Sequence, residues 1–278
     1  MRLSPNTLIA GTVAAAVLAI APAAGANTFS TGGSTGMQIL ASALAQAYTH
    51  SSANHDHARF TVAGGGSGAG ISGAKAGTFV IGNSSRAPKN SDASGLTFTP
   101  ISVEPFVVIV NPHNPVRSLT QAQISGIFRG SITNWNQVGG ANCAIKGYTR
   151  VGGSGTLSTF QTLYLGGSSV AGSFHAVGSN GLVRASVAGN ACAVGFVTYA
   201  YTVGTTAVRG LAVGGVAPTL ANVLSRKFAY AGYQYFVTLG NPTGAVARYI
   251  AWARSAAAKP IISRYALQAG SGAEILHT

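Results

Sequence analysis

Three segments rich in glycine and small hydroxyl residues constrain this chain more than anything else in it: "STGGSTG" (Ser30 to Gly36), "GGGSGAGI" (Gly64 to Ile71) and "RVGGSGT" (Arg150 to Thr156). Glycine loses more conformational freedom on folding than any other residue, so such a run implies something that only glycine permits. Each run lies where a strand-like stretch ends and a helix-like one begins. At a helix start the first backbone N–H groups lack intrahelical partners and the macrodipole is positive, so the junction can hold an anion on main-chain donors. A missing Cβ lets the guest approach, and the hydroxyls of Ser34, Thr35, Ser67, Ser154 and Thr156 add short donors. Arg150, leading into the third run, brings a guanidinium fork that matches an oxyanion edge. Three loops and an arginine together describe a cage. "GAGISG" (Gly68 to Gly73) also matches the dinucleotide fingerprint GxGxxG, but in a chain with 38 glycines that spacing carries little weight.

The intervening pattern alternates strands with helices. "TGMQILASALAQAY" places Met37, Leu40, Leu44 and Tyr48 on one helical face, and "ARFTVAG" alternates as a strand. "GTFVIGNSSRAP" predicts a strand at Phe79 to Ile81, and "PFVVIVNP" (Pro105 to Pro112) a strand buried on both faces. A short helix follows Leu119 with Ser118 or Thr120 as N-cap. "AIKGYTR" reads as a strand, "STFQTLYLGG" as a helix closed by glycine, "AVGFVTYAY" and "YQYFVTLG" as strands, and "GAVARYIAWARSAAA" as an amphipathic helix. This order predicts an α/β protein with largely parallel sheets.

Arg2, the apolar run Leu8 to Ile20 and "APAAGA" have the form of a secretory signal peptide over residues 1–26, cleaved after Ala26. No cysteine stands at the cleavage site, so the expected product is exported, periplasmic or extracellular, and not lipid-anchored. Without the signal, 252 of the 278 residues remain, enough for two lobes with their own cores. Cys143 and Cys192, the only cysteines, are then expected to form a disulfide rather than a metal or catalytic site.

Charge is lopsided. Seventeen Lys and Arg face four acids, Asp56, Asp92, Glu104 and Glu274, which leaves a formal +12 once Arg2 is removed. Such a surface attracts anions. The cations are scattered, with Ser225 to Lys227 ("SRK") the densest group, so a nucleic-acid stripe is not supported. Four scattered acids are too few for carboxylate catalysis. His50, His55, Asp56 and His57 could ligate a metal, but their spacing in a polar loop favours a solvated segment, and no metal or cofactor is expected. His113 reads as a turn residue; Phe128 and Trp135 read as packing.

The quoted runs, with "VVIVNPHNPVRSLTQAQISGIFRGSITNWNQVGG" and "GSNGLVRASVAGNACAVGFVTYAY", fall in the order and spacing of PstS-type phosphate-binding proteins, and the resemblance covers essentially all of the chain after Ala26. It implies a two-lobed periplasmic-binding-protein-like (Venus flytrap) fold with two hinge strands, closing on one dehydrated phosphate, and no enzymatic activity. Carried over by motif, the ligands are Ser34 and Thr35, Ser67 and Gly68, Ser84 and Ser85 from one lobe, and Arg150, Ser154, Gly155 and Thr156 from the other. Some members carry aspartate where this chain has Ser85, so Glu104 is a candidate acceptor for the proton of hydrogen phosphate, a group sulfate lacks. The expected lobes are residues 27–105 plus 241–278 and residues 106–240, with crossings near Val107 and Phe236. The implied partners are inorganic phosphate and the membrane permease of a phosphate ABC transporter, the protein itself being a monomer. Two other readings fit the residues: an adhesin or matrix protein that uses the positive surface to bind acidic polymers, and a phosphoester hydrolase of related fold.

Overall fold

The computed structural model describes residues 27–270; the signal peptide expected over residues 1–26, and Glu274, lie outside them. The first lobe opens with β1 (Thr28–Gly33), α1 (Gln38–Thr49), β2 (Arg59–Ala63), α2 (Ser67–Ala76) and β3 (Ile81–Ser84). β4 (Leu96–Val110) leads into β5 (Ser118–Leu119), α3 (Gln121–Phe128), β6 (Lys146–Arg150), α4 (Gly155–Leu165), β7 (His175–Val177), α5 (Asn180–Ala188), β8 (Ala193–Thr198), β9 (Arg209–Gly210), β10 (Ala212–Val213) and α6 (Leu220–Leu224). β11 (Ala231–Leu239), α7 (Gly244–Ala253), α8 (Lys259–Ile262) and β12 (Leu267–Gln268) complete the described chain. The strand order β2-β1-β3-β11-β4-β8-β6-β7 makes one continuous path through a two-lobed α/β fold of the periplasmic-binding-protein type.

β4 joins the lobes. From Leu96 to Pro105 it pairs antiparallel with β11, and from Phe106 to Val110 it pairs antiparallel with β8. Proline donates no backbone hydrogen bond, and Pro105 sits at the changeover between neighbours. Pro100 lies at a second irregularity, where the register slips between Gln234 and Tyr235 and leaves Ile101 unmatched. Beyond Pro105 both faces of β4 are covered: Phe106, Val108 and Val110 enter one core while Val107 and Ile109 enter another. The buried strand read from "PFVVIVNP" is therefore present, as the second half of a 15-residue strand.

The expectation of largely parallel sheets needs correction. β1 pairs parallel with β2 and β3, and β6 with β7 and β8, but β3, β11, β4 and β8 are antiparallel neighbours through the middle. Strands that must run out of one lobe and back impose that direction. The strand read at Phe79 to Ile81 is also displaced: β3 starts at Ile81, and the Phe79 ring lies over Gly32 and Gly73, where a Cβ would collide with it.

The first-lobe core forms from the helical face read in the sequence, with Met37, Leu40, Leu44 and Tyr48 all buried against Phe60, Tyr249 and Trp252. In the second lobe Phe160 stacks on Phe196 at 3.9 Å and meets Phe128 edge-on at 4.6 Å, while Trp135 is fully buried. Thr120 caps α3 through a capping box with Gln123, and Gly166 in the left-handed conformation ends α4. Cys143 and Cys192 form the expected disulfide, and the Trp135 indole N–H donates to the Cys192 carbonyl at 2.8 Å. A cross-link closing 49 residues removes about 4 kcal/mol of chain entropy from the unfolded state. Replacing both cysteines by serine is expected to lower Tm by on the order of 10 °C in thermal melts followed by circular dichroism; an unchanged Tm would show that the bridge carries no stability.

Candidate functional site

The three glycine runs converge, but their glycines serve different ends. Gly70 and Gly82 allow α2 to lie against the strands, since a Cβ on Gly70 would fall 2.7 Å from the Asn83 carbonyl and 2.8 Å from that of Gly32. Neither atom can move without distorting the sheet. Gly68 faces the other lobe, where its N–H donates to the Gly153 carbonyl at 2.9 Å. Gly36 lies inside the cluster: a Cβ there would come 2.7 Å from both Ser85 Oγ and Thr156 Oγ1. Gly155 is equally confined, its Cβ direction being taken by the Ser67 hydroxyl. The GxGxxG glycines Gly68, Gly70 and Gly73 thus meet Gly153, the β1–β3 backbone and Phe79 in turn.

Neither α1 nor α2 has a side-chain N-cap; at the start of α1, Gly36 N donates to Ser34 Oγ at 3.2 Å and Gln38 N to the Thr35 carbonyl at 3.3 Å. α4 is capped by Ser154, whose Oγ accepts from Leu157 N at 3.2 Å. Ser34 Oγ and Ser85 Oγ are 2.5 Å apart, and the Ser85 hydroxyl donates to Gln234 Oε1, also at 2.5 Å. Since Ser85 has one proton and spends it on Gln234, Ser34 is the donor of the pair. Ser67 Oγ accepts from Ser85 N at 3.0 Å. Across the cleft, Asn180 donates to Thr35 Oγ1, Tyr201 to the Thr35 carbonyl at 2.7 Å, Thr198 to the Gly36 carbonyl at 2.8 Å, and Thr159 to the Ser85 carbonyl at 2.7 Å, while within the second lobe Asn180 also donates to Thr156 Oγ1.

Of the residues singled out from the sequence, Ser34, Thr35, Ser67, Ser85, Gly155 and Thr156 meet in this cluster, and Gly68 and Ser154 border it. Ser84 does not join it; its hydroxyl is turned into a local loop, donating to the Arg86 carbonyl at 2.9 Å. Gln234, Asn180, Tyr201 and Thr198 belong to the cluster and escaped sequence reasoning. Gln234 left a signal, a lone amide within the apolar strand "YQYFVTLG".

Arg150 sets the electrostatics. Only 2% exposed, it donates from Nε to the Val177 carbonyl at 3.1 Å and from Nη2 to that of Gly178 at 2.7 Å, while Nη1 is buried without a partner. Burial lowers its pKa to about 10, opposed by the neighbouring Tyr201 hydroxyl, which burial in turn pushes up to about 12. Both remain in their ordinary protonation states at neutral pH. Among the described residues the other acids are committed elsewhere: Asp56 to Arg248 and Asp92 to Arg86. A buried cation without a counter-charge is costly, so the surroundings of Arg150 favour an anion.

Glu104 stands beside this cluster on β4, fully buried, with Oε2 accepting from Ala200 N at 3.2 Å and Oε1 unpartnered. Desolvation raises its pKa to about 8, against smaller opposing contributions from the Ala200 N–H and the Thr198 side chain. At neutral pH it is therefore mostly a neutral carboxylic acid rather than a carboxylate. Because its folded pKa lies above the unfolded value, the native state binds the extra proton between pH 4.5 and about 8, and stability declines as pH rises through that window. The expected slope is up to about 1.4 kcal/mol per pH unit. Urea melts at pH 5 and pH 8 test this: Glu104→Gln is expected to lose less stability than wild type between the two, and parallel losses would refute the shifted pKa.

Residues 19–257 match the family model of the PBP superfamily domain. The phosphate-binding protein PstS of Bacillus subtilis strain 168 is 30% identical over 236 residues, spanning 84% of this chain and 76% of that protein. Among solved structures, a phosphate ABC transporter substrate-binding protein with bound phosphate from Clostridium perfringens superposes with a TM-score of 0.81 at 28% identity, over 87% of this chain and 99% of its own. An ABC-type phosphate transport receptor from Vibrio cholerae superposes with a TM-score of 0.68 at 31% identity, over 85% and 98%. With its two-lobed fold and the hydroxyl cluster that joins the lobes, the chain belongs to the PBP superfamily and, within it, to the PstS-type phosphate-binding proteins.

Proposed function

We propose that this protein is an exported receptor that captures inorganic phosphate between its lobes and hands it to the permease of an ABC transporter. The observation that carries the reading is the buried, uncompensated Arg150 beside Tyr201, which itself donates to Thr35 of the interlobe hydroxyl cluster. Ser34, Thr35, Ser67, Gly68 and Ser85 are the proposed ligands from the first lobe, and Arg150, Ser154, Gly155 and Thr156 those from the second. Ser84 takes a supporting role in the turn before Arg86. Glu104, neutral at pH 7, tunes the charge beside the cage and can exchange a proton with a hydrogen phosphate.

The lobes are proposed to divide at Pro105/Phe106 and at Tyr230/Ala231, since β11 pairs over its whole length with the first half of β4, and Phe236 lies opposite Thr99 and Asn83. Closure about these two crossings buries the anion, and the closed form is what the permease recognises. Residues 1–26 serve as the export signal, in keeping with a disulfide that suits an oxidising compartment. No turnover is assigned to the site: Ser34 and Ser85 bond each other, Gln234 and a backbone amide rather than a histidine or carboxylate base. No helix among the described residues is long and apolar enough to cross a membrane.

Charge-assisted hydrogen bonds contribute about 1.5 to 3 kcal/mol each, so a handful offset the dehydration of phosphate and still leave the ~8 kcal/mol of a micromolar complex. Isothermal titration of residues 27–278 with phosphate is expected to give micromolar or tighter binding, with sulfate far weaker. Phosphate at 100 times Kd then adds about 2.7 kcal/mol of stability, roughly 5–10 °C in Tm. Arg150→Met is expected to weaken binding at least 100-fold, because the anion loses the one buried cation among the described residues. No heat and no Tm shift with phosphate would overturn the reading.

A further inference from the structure

The polarity of a hydroxyl cage depends on where its protons point, and one residue controls two of them. Asn180, fully buried at the first turn of α5, places its carboxamide between Thr35 of the first lobe and Thr156 of the second. Its Oδ1 accepts from Thr198 N at 3.2 Å, which fixes the amide with its nitrogen towards the threonines. Nδ2 donates to Thr35 Oγ1 and to Thr156 Oγ1, each at 3.1 Å, and the Asn180 backbone N–H donates to Thr35 Oγ1 at 3.2 Å. A threonine hydroxyl has two acceptor lone pairs and one proton. Both lone pairs of Thr35 Oγ1 are thereby filled, and the proton is all it has left to offer. Thr156 Oγ1, which faces Gly36 at the centre of the cluster, is filled on one side in the same way.

We infer that Asn180 is a positioning residue of the cage: by filling both acceptor sites of Thr35 and one of Thr156 it commits the Thr35 proton to the guest and biases that of Thr156 towards it, and it couples this to closure because the two threonines lie on different lobes. The inference rests on the phosphate reading for the identity of the guest. In the open form Thr35 withdraws with α1, and its hydroxyl is free to rotate in water. On closing, Asn180 orients both donors before the anion is gripped, so their rotational freedom is lost in lobe closure rather than at the anion contact.

The test compares wild type, Asn180→Ala and Asn180→Asp by titration with inorganic phosphate at pH 8 and pH 4.5, each affinity taken as a ratio to wild type at the same pH, with thermal melts to verify folding. Asn180→Ala is expected to bind about 10-fold more weakly at both pH values. Asn180→Asp is expected to bind at least 100-fold more weakly at pH 8, because a carboxylate accepts the two threonine protons and repels the anion. At pH 4.5, as that carboxyl takes up a proton and becomes a donor, its deficit narrows at least 10-fold. Equal, pH-independent deficits for the two variants would reduce Asn180 to a packing role and overturn the inference, as would an unchanged affinity in Asn180→Ala. A wild type that ignores phosphate would sink the phosphate reading alone; the wiring is then judged by NMR of the 15N-labelled protein without added anion. Slowly exchanging Asn180 side-chain protons with contacts to the Thr35 and Thr156 methyls support it, and rapidly exchanging ones refute it.

Discussion

A guanidinium taken out of water without a carboxylate beside it is the constraint on which the rest of this structure turns. The chain has few acids, and those described are held in ion pairs with arginines or kept neutral by burial. Arg150 is therefore fixed by carbonyls alone, those of Val177 and Gly178, which orient the side chain but do not neutralise it. Tyr201 lies beside it and donates to Thr35 in a cluster of groups that can donate without bringing negative charge: serine and threonine hydroxyls and an asparagine. Such an environment suits an anion better than it suits water, and it excludes cations.

The backbone arrangement follows from having to bring these groups from two separate cores. β4 belongs to both lobes, and its prolines stand where the pairing changes or slips, so the strand is continuous in the chain while its hydrogen-bonding partners are not. That permits one half to move against the other without breaking a ladder within either. The hydrogen bonds across the cleft come from Thr159, Thr198, Tyr201 and the Gly68 amide to backbone carbonyls and from Asn180 to the Thr35 hydroxyl. Bonds of this kind contribute about 1 kcal/mol each, which makes closure readily biased by a guest.

Two side-chain amides give the cluster its internal direction. Gln234 takes the proton of Ser85 and leaves that oxygen an acceptor, whereas Asn180 supplies protons to Thr35 and Thr156 and leaves them donors. A cage with donors on one side and an acceptor on the other distinguishes an oxyanion that carries a proton from one that does not.

Much of this was legible in the sequence. The glycine runs at strand-to-helix junctions, the helical face of Met37 to Tyr48, the Thr120 cap, the cysteine pair and the buried strand after Pro105 are local patterns, determined by propensity, spacing and the absence of a Cβ. Arg150 declared itself by standing next to such a run. What only the tertiary structure decided are the matters that depend on partners distant in the chain. Gly70 and Gly73 serve packing while Gly36 serves the cluster, because the atoms opposite them differ. Ser84 turns away and Ser85 turns in, because successive residues at the end of a strand point to opposite faces. Asn180 and Gln234 matter because residues 145 and 149 positions away lie against them. Local chemistry determined which groups could hold an anion; the fold alone decided which of them meet and which way their protons point, since hydrogen-bond direction is a property of pairs and not of single residues.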